Sequence, residues 1–143
     1  MVEPQRVIIT GADEPGLYYG GVTFFQLMKN SMRVEDSMPV PCVGILDWPD
    51  LPNRMCRLEH LHNFKNRQLK ENRGIDFLID WTERFVAGNK LNVFFIDLSA
   101  NTVYERRPEC NGGQRSYTLA DLELFGQFCR DHFIDLCPAW QVG

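Results

Sequence analysis

The alternation of hydrophobic and polar positions predicts a few short strands separated by helical stretches. Apolar runs at 6–10 and 42–46 have the length of buried strands, and each ends at a turn-forming residue. The run at 91–98 is the clearest strand, and 102–106 is a possible return strand. Two interpretations of 91–106 therefore stay open: a hairpin, or a parallel central strand that opens into a loop.

Helical spacing accounts for most of the chain between these runs. The segment 22–34 suits a helix or a strand, and we favour the helix. Apolar residues three or four apart predict a helix over 54–72. A second, largely buried helix is expected over 75–87, with Gly88 as a left-handed C-terminal cap.

The last helix has the best-marked start. Thr118 can act as its N-cap, and Asp121 stands three residues later, where the partner in a capping box belongs. Apolar residues at helical spacing continue to Leu136, and Pro138 is expected to end the helix.

Strands separated by roughly 30 to 50 residues need crossover connections, which favours parallel pairing. We therefore predict the α/β class, with a small sheet flanked by helices in a single globular domain over residues 1–143. An α+β fold with an antiparallel hairpin at 91–106 is the alternative.

Composition narrows the class of protein. The chain has 143 residues, of which 44% are hydrophobic and 24% charged, as in ordinary globular domains. Its five cysteines are odd in number and include no C-x-x-C pair, which argues against a disulfide framework. No apolar run is long enough to span a membrane, and the first residues lack the core of a signal peptide. We therefore expect a cytoplasmic or nuclear protein.

The net charge of -4 hides a segregation of charge. The segment 54–73 carries six basic and two acidic residues, which is +4, and the remainder carries nine against seventeen, which is -8. The basic residues predicted to form a helical binding face are Arg57, Lys65, Arg67, Lys70 and Arg73. A protein partner with an acidic surface is the first expectation for this face, and nucleic acid ranks below it.

The first functional hypothesis is a non-catalytic interaction or accessory domain. The basic helical face would bind the partner, and Trp48 and Trp140 would add contacts, since they fall in a loop and a tail. The alternative for both tryptophans is that they fold back onto the core.

The second hypothesis is a small α/β enzyme or ligand-binding domain for a nucleotide or a phosphorylated metabolite. Asp13, Asp47 and Asp97 each follow a predicted strand, and ligands bind at the carboxyl edge of parallel sheets. Carboxylates there can hold Mg²⁺, act as a base or bond a ribose. The alternative is that these aspartates cap turns.

Two further patterns in the sequence bear on ligand binding. Cys56 with His60, and Cys129 with His132, have spacings that could form a Cys₂His₂ zinc site, but chance spacing and a core thiol at Cys129 explain them better. The glycine loop at 11–16 lacks the Lys and Ser/Thr of a phosphate-binding loop. We expect no bound metal or cofactor.

Overall fold

The computed structural model describes residues 1–31, 39–58, 74–98, 102–110 and 117–140. Contacts between residues divide the chain into two compact units, Met1–Pro52 and Asn53–Gly143. The described residues combine helices with a parallel sheet, which confirms the predicted α/β class. Among the helices in these ranges, none has the length and hydropathy that crossing a membrane requires. The single domain predicted for the whole chain stays a prediction.

The first unit contains a short antiparallel pair of strands. β1 (Val2–Glu3) pairs with β2 (Arg6–Val7), and Val43 forms an isolated bridge with Val2. The strands predicted at 6–10 and 42–46 are therefore wrong in extent, because ladder pairing covers two residues of the first run and one residue of the second. Beyond these residues, neither run is part of a strand ladder in the described ranges.

The first unit also contains the helix α1 (Glu14–Lys29), which confirms the helix favoured for 22–34 as far as Lys29. Residues 32–34 lie outside the described ranges. The carboxylate of Asp13 caps the helix by accepting a hydrogen bond of 2.7 Å from the backbone N–H of Gly16. The turn predicted from the glycines at 11–16 thus leads into a helix.

The second unit is built on a parallel sheet of three strands, β3 (Met55–Leu58), β4 (Val93–Asp97) and β5 (Asp135–Ala139), in that order. β4 confirms the strand predicted at 91–98 and has a parallel partner on each side. The hairpin with 102–106 is therefore wrong, since both edges of β4 are occupied, and the parallel alternative is confirmed. Within 102–106, Thr102 forms an isolated bridge.

Two helical predictions before β4 are corrected in part. Residues 55–58, expected in a helix over 54–72, form β3 because their backbone pairs with β4; residues 59–72 lie outside the described ranges. The helix α2 (Ile75–Phe85) agrees with the prediction for 75–87. The left-handed residue after it is Lys90, with φ 59°, rather than Gly88, because a 3₁₀ turn intervenes.

The helix α3 (Leu119–Asp131) begins as predicted, with Thr118 and Asp121 forming a complete capping box. It ends earlier than predicted because Phe133 adopts a left-handed conformation, with φ 54°. The backbone N–H of Ile134 then donates to the carbonyl of Cys129 at 2.8 Å, the long hydrogen bond of a Schellman ending.

The residues after this helix end, predicted as helical up to Leu136, form β5 instead. Pro138 lies within β5, where its missing N–H is tolerated because β5 pairs on one side only among the described strands.

The core of the second unit lies between one face of the sheet and the two helices α2 and α3. The fully buried ring of Phe94 in β4 lies between Trp81 of α2 and Phe125 of α3, with centroid distances of 6.0 and 5.9 Å. The neighbouring row of paired residues, Arg57–Phe95–Cys137, points to the opposite face. Of these three residues Arg57 is exposed, and Phe95 and Cys137 are partly buried.

Candidate functional site

The carboxyl ends of the three parallel strands meet at one edge of the sheet. Asp97 is the last residue of β4 and lies beside Ala139, the last residue of β5. The backbone N–H of Leu98 donates to the carbonyl of Ala139 at 3.0 Å, which extends the pairing by one residue. Asp97 is therefore held in a fixed backbone position, and it is mostly buried, with 8% of its surface exposed.

The indole of Trp140 lies near the same edge, because Trp140 follows Ala139, the residue that pairs with Asp97. Trp140 directly follows β5, and its Nε1–H donates a hydrogen bond of 2.9 Å to the hydroxyl of Tyr104. The Tyr104 hydroxyl in turn donates to the carbonyl of Leu98 at 3.1 Å. Two consecutive hydrogen bonds thus connect the indole to the end of β4, and 54% of Trp140 remains exposed. We call Asp97, Leu98, Tyr104 and Trp140 the edge site.

The edge site combines a hydrogen-bond acceptor with an apolar ring. An ionised carboxylate has about four lone-pair positions, so it can accept bonds from a ligand in addition to those from the protein. An indole whose N–H is already bonded offers the remaining apolar surface of its ring. Asp97 and its pair partner Ala139 share one face of the sheet and Trp140 follows on the other, so the carboxylate and the indole are separate candidates for ligand contact.

The other two aspartates of the predicted strand-end set belong to the first unit. Asp13 caps α1, and Oδ2 of Asp47 lies 3.2 Å from the hydroxyl of Thr23 on the same helix. The parallel sheet contains β3, β4 and β5, so neither Asp13 nor Asp47 lies at the end of one of its strands. Of the three, Asp97 is the aspartate that the structure places at a strand end.

The predicted basic helical face falls mainly outside the described residues. The members outside those ranges are Lys65, Arg67, Lys70 and Arg73. Arg57 is exposed on β3, so it belongs to a strand rather than to a helix. Arg54, at the start of the same basic segment, donates from Nε to the carbonyl of Lys90 at 2.7 Å and helps to align the sheet. The acidic partner stays a prediction.

The first unit exposes apolar side chains in the segment 45–51, which we call the apolar loop. Trp48 is 64% exposed in this loop, and Leu46 and Leu51 are 86% and 65% exposed. The prediction that Trp48 lies on the surface rather than folding back is thus consistent with its exposure. Exposed apolar side chains grouped in one segment are typical of contact surfaces.

The predicted zinc ligands have other roles where they are described. Cys129 is 1% exposed in the core, and burial raises the pKa of its thiol to about 12. His132 donates from Nδ1 to the backbone carbonyl of Phe128 at 2.7 Å, and its imidazole stacks on the phenyl ring of Phe128. Cys56 lies in β3, where burial raises its pKa, and His60 is outside the described residues. Within the described ranges, no three His, Cys, Asp or Glu residues form a group that could hold a metal ion.

No protein-family model matches the sequence, and no curated protein matches it. Among solved structures, the chain is similar to a glycoside hydrolase family 20 β-N-acetylglucosaminidase, with a TM-score of 0.69 and 26% sequence identity. The similarity covers 90% of this chain and 27% of that chain. The chain therefore spans 27% of the length of the enzyme that it resembles.

The sequence interpretation missed Tyr104 and the carbonyl of Leu98. The sequence places Tyr104 in the possible return strand 102–106, and its partner Trp140 lies 36 residues further along the chain. No local pattern connects residues so far apart, so the signal that identifies this pair is the fold itself.

Proposed function

We propose that residues 53–143 form a carbohydrate-binding α/β unit that binds β-linked N-acetylglucosamine at the edge site. The observation that carries the proposal is the similarity to a β-N-acetylglucosaminidase over 90% of this chain. The position of Asp97 and Trp140 at the carboxyl edge of the parallel sheet supports it, because ligands of open parallel sheets bind at that edge.

The chemistry of the edge site fits a sugar better than the nucleotide or phosphorylated metabolite of the second hypothesis. The Asp97 carboxylate would repel a phosphate but would accept hydrogen bonds from sugar hydroxyls. The Trp140 indole would pack on the C–H groups of the sugar ring. The proposal is for binding and does not include hydrolysis, since this chain spans 27% of the enzyme.

Calorimetric titration with the β-1,4-linked trimer of N-acetylglucosamine tests the proposal. The wild-type chain is expected to bind, and Asp97→Asn to bind about tenfold more weakly, because a hydrogen bond to a charged acceptor is replaced by one to a neutral amide. Asp135→Asn is the matched control, since Asp135 begins β5 at the opposite edge and is exposed. Equal binding by all three proteins would show that the trimer binds elsewhere, and the absence of wild-type binding would refute the proposal.

A second candidate function, the non-catalytic interaction domain, is favoured by the exposure of the apolar loop. Trp48 and its apolar neighbours in 45–51 would contact a protein partner, with the basic residues of 54–73 adding attraction to an acidic surface. Affinity purification with mass spectrometry tests it when wild type, Trp48→Ser and a double charge reversal at Arg67 and Lys70 are compared. A partner retained equally by all three baits would contradict this candidate.

A further inference from the structure

We infer that Trp140 is a stacking platform for a closed pyranose ring and that Tyr104 positions it. The inference deepens the proposed function and rests on it, because it takes the edge site as a sugar site. It names the feature of the ligand that this site selects, which is a flat ring face made of C–H groups.

The hydrogen bonds of the edge site restrict the orientation of the indole. An exposed tryptophan in a loop ordinarily samples several rotamers, and ordering it on binding costs conformational entropy. Here the Nε1–H of Trp140 is bonded to Tyr104, and Tyr104 is bonded to the backbone beyond β4. The indole is therefore fixed before a ligand arrives, which is the condition for a preorganised binding surface.

The exposure of Trp140 shows that the hydrogen bonds do not bury it. With 54% of the residue exposed, a large apolar surface faces water beside the end of β4. Its polar group is already satisfied by Tyr104 at 2.9 Å, so a ligand can cover the ring without breaking a hydrogen bond to water. A ligand that covers this ring therefore gains apolar contact at little polar cost.

A β-linked N-acetylglucosamine ring offers the flat apolar face that the exposed indole requires. Its ring substituents are equatorial, so its axial C–H groups form an apolar face while its hydroxyls point outward from the rim. The face would pack on Trp140, which directly follows β5, and the rim hydroxyls would stay free to bond to other polar groups or to water. The reduced open-chain form of the same sugar keeps the hydroxyls of carbons 3, 4 and 6 but has no ring face, and it is expected to bind poorly.

Calorimetric titration of the full chain with the N-acetylglucosamine trimer tests the inference. For the anisotropy of Trp140, the proteins compared also carry Trp48→Phe and Trp81→Phe, so that Trp140 is the remaining tryptophan. Trp140→Ala is expected to weaken binding about tenfold, and Trp140→Phe about threefold, because phenylalanine retains part of the ring surface. Tyr104→Phe keeps its ring but loses both hydrogen bonds, and we expect about threefold weaker binding. It should also lower the anisotropy of Trp140 in the absence of sugar, which a merely structural role for Tyr104 would not do.

The outcomes separate the inference from the proposed function. If the trimer binds the wild-type chain and Trp140→Ala equally, the stacking platform is wrong while the sugar site stands. If N-acetylglucosaminitol, the reduced open-chain form, competes as well as the closed monosaccharide, the selection for a ring face is wrong. If the trimer does not bind the wild-type chain, the proposed function fails and the inference fails with it.

Discussion

The ring of Phe125 meets the ring of Phe94 edge-to-face, with the centroids 5.9 Å apart and both residues fully buried. This contact joins α3 to the central strand of the sheet, so it carries much of the packing of the second unit. Phe125→Ala is expected to lower the free energy of unfolding by ~3–5 kcal/mol, because it removes a large buried side chain and leaves a cavity. Urea denaturation measures this change.

Leu124 provides the matched control for this prediction. It is the preceding residue of the same helix, but 52% of it is exposed. Leu124→Ala is expected to change the free energy of unfolding by ~0.5 kcal/mol or less. Similar losses for the two variants would mean that the Phe94–Phe125 contact is not the centre of the core.

Thr82 is a buried polar residue whose replacement should stabilise the protein. It is 0% exposed in α2, and its hydroxyl has no hydrogen-bond partner among the described residues. Thr82→Val keeps the shape and removes the unsatisfied hydroxyl, so the free energy of unfolding should rise by ~1 kcal/mol. Thr82→Ser keeps the hydroxyl and loses a methyl group, and it should be destabilising. Thermal unfolding of both variants decides the point, and a lower melting temperature for Thr82→Val would contradict it.

The capping box of α3 predicts that removing the Thr118 hydroxyl lowers the free energy of unfolding by a small amount. The hydroxyl of Thr118 accepts a hydrogen bond from the backbone N–H of Asp121 at 3.2 Å, and the Asp121 carboxylate accepts one from the backbone N–H of Thr118 at 2.9 Å. Thr118→Ala removes the first bond, and we expect a loss of ~1 kcal/mol in urea denaturation. Thr118→Ser retains the cap and should stay close to wild type. Equal losses for alanine and serine would show that the hydroxyl does not cap the helix.

The buried thiol of Cys129 makes stability depend on alkaline pH. Burial raises its pKa from 9.0 to about 12 in the folded chain. Above about pH 9 the unfolded chain loses this proton while the folded chain keeps it, so the free energy of unfolding falls as pH rises toward 12. The slope from this group is at most ~1.4 kcal/mol per pH unit, and below pH 9 it is absent.

Urea unfolding under reducing conditions at pH 8, 9 and 10 measures this dependence. Cys129→Ala has no thiol to titrate, so its stability should fall less steeply than that of wild type over the same range. Because other groups titrate there too, the difference between the two slopes is the informative quantity. Parallel slopes would contradict the assignment of Cys129 as a protonated core thiol.

Some elements of the fold could be predicted because their signals are local. The first four residues of β4 form a continuous apolar run, and the start of α3 is marked by Thr118 and Asp121 within one turn. The strands β3 and β5 could not be predicted from local signals, because they are short and become strands by pairing with β4. The early end of α3 depends on a left-handed Phe133, a conformation that bulky residues rarely adopt.

The candidate site could be predicted in part. The sequence predicts that Asp97 follows a strand, and Asp97 is the last residue of β4. Trp140 is exposed, and its contact with a partner stays a prediction. Its hydrogen bond to Tyr104 exists because of tertiary packing, so no spacing in the sequence could reveal it.

The most direct test of the carbohydrate-binding proposal is a ¹H–¹⁵N NMR titration of the chain with the N-acetylglucosamine trimer. The proposal predicts that the backbone amide of Leu98 and the indole N–H of Trp140 shift as the sugar is added, since both belong to the edge site. The amides of Val93 and Asp135, at the opposite ends of the same strands, should stay in place. A spectrum that does not change, or changes confined to Val93 and Asp135, would contradict the proposal.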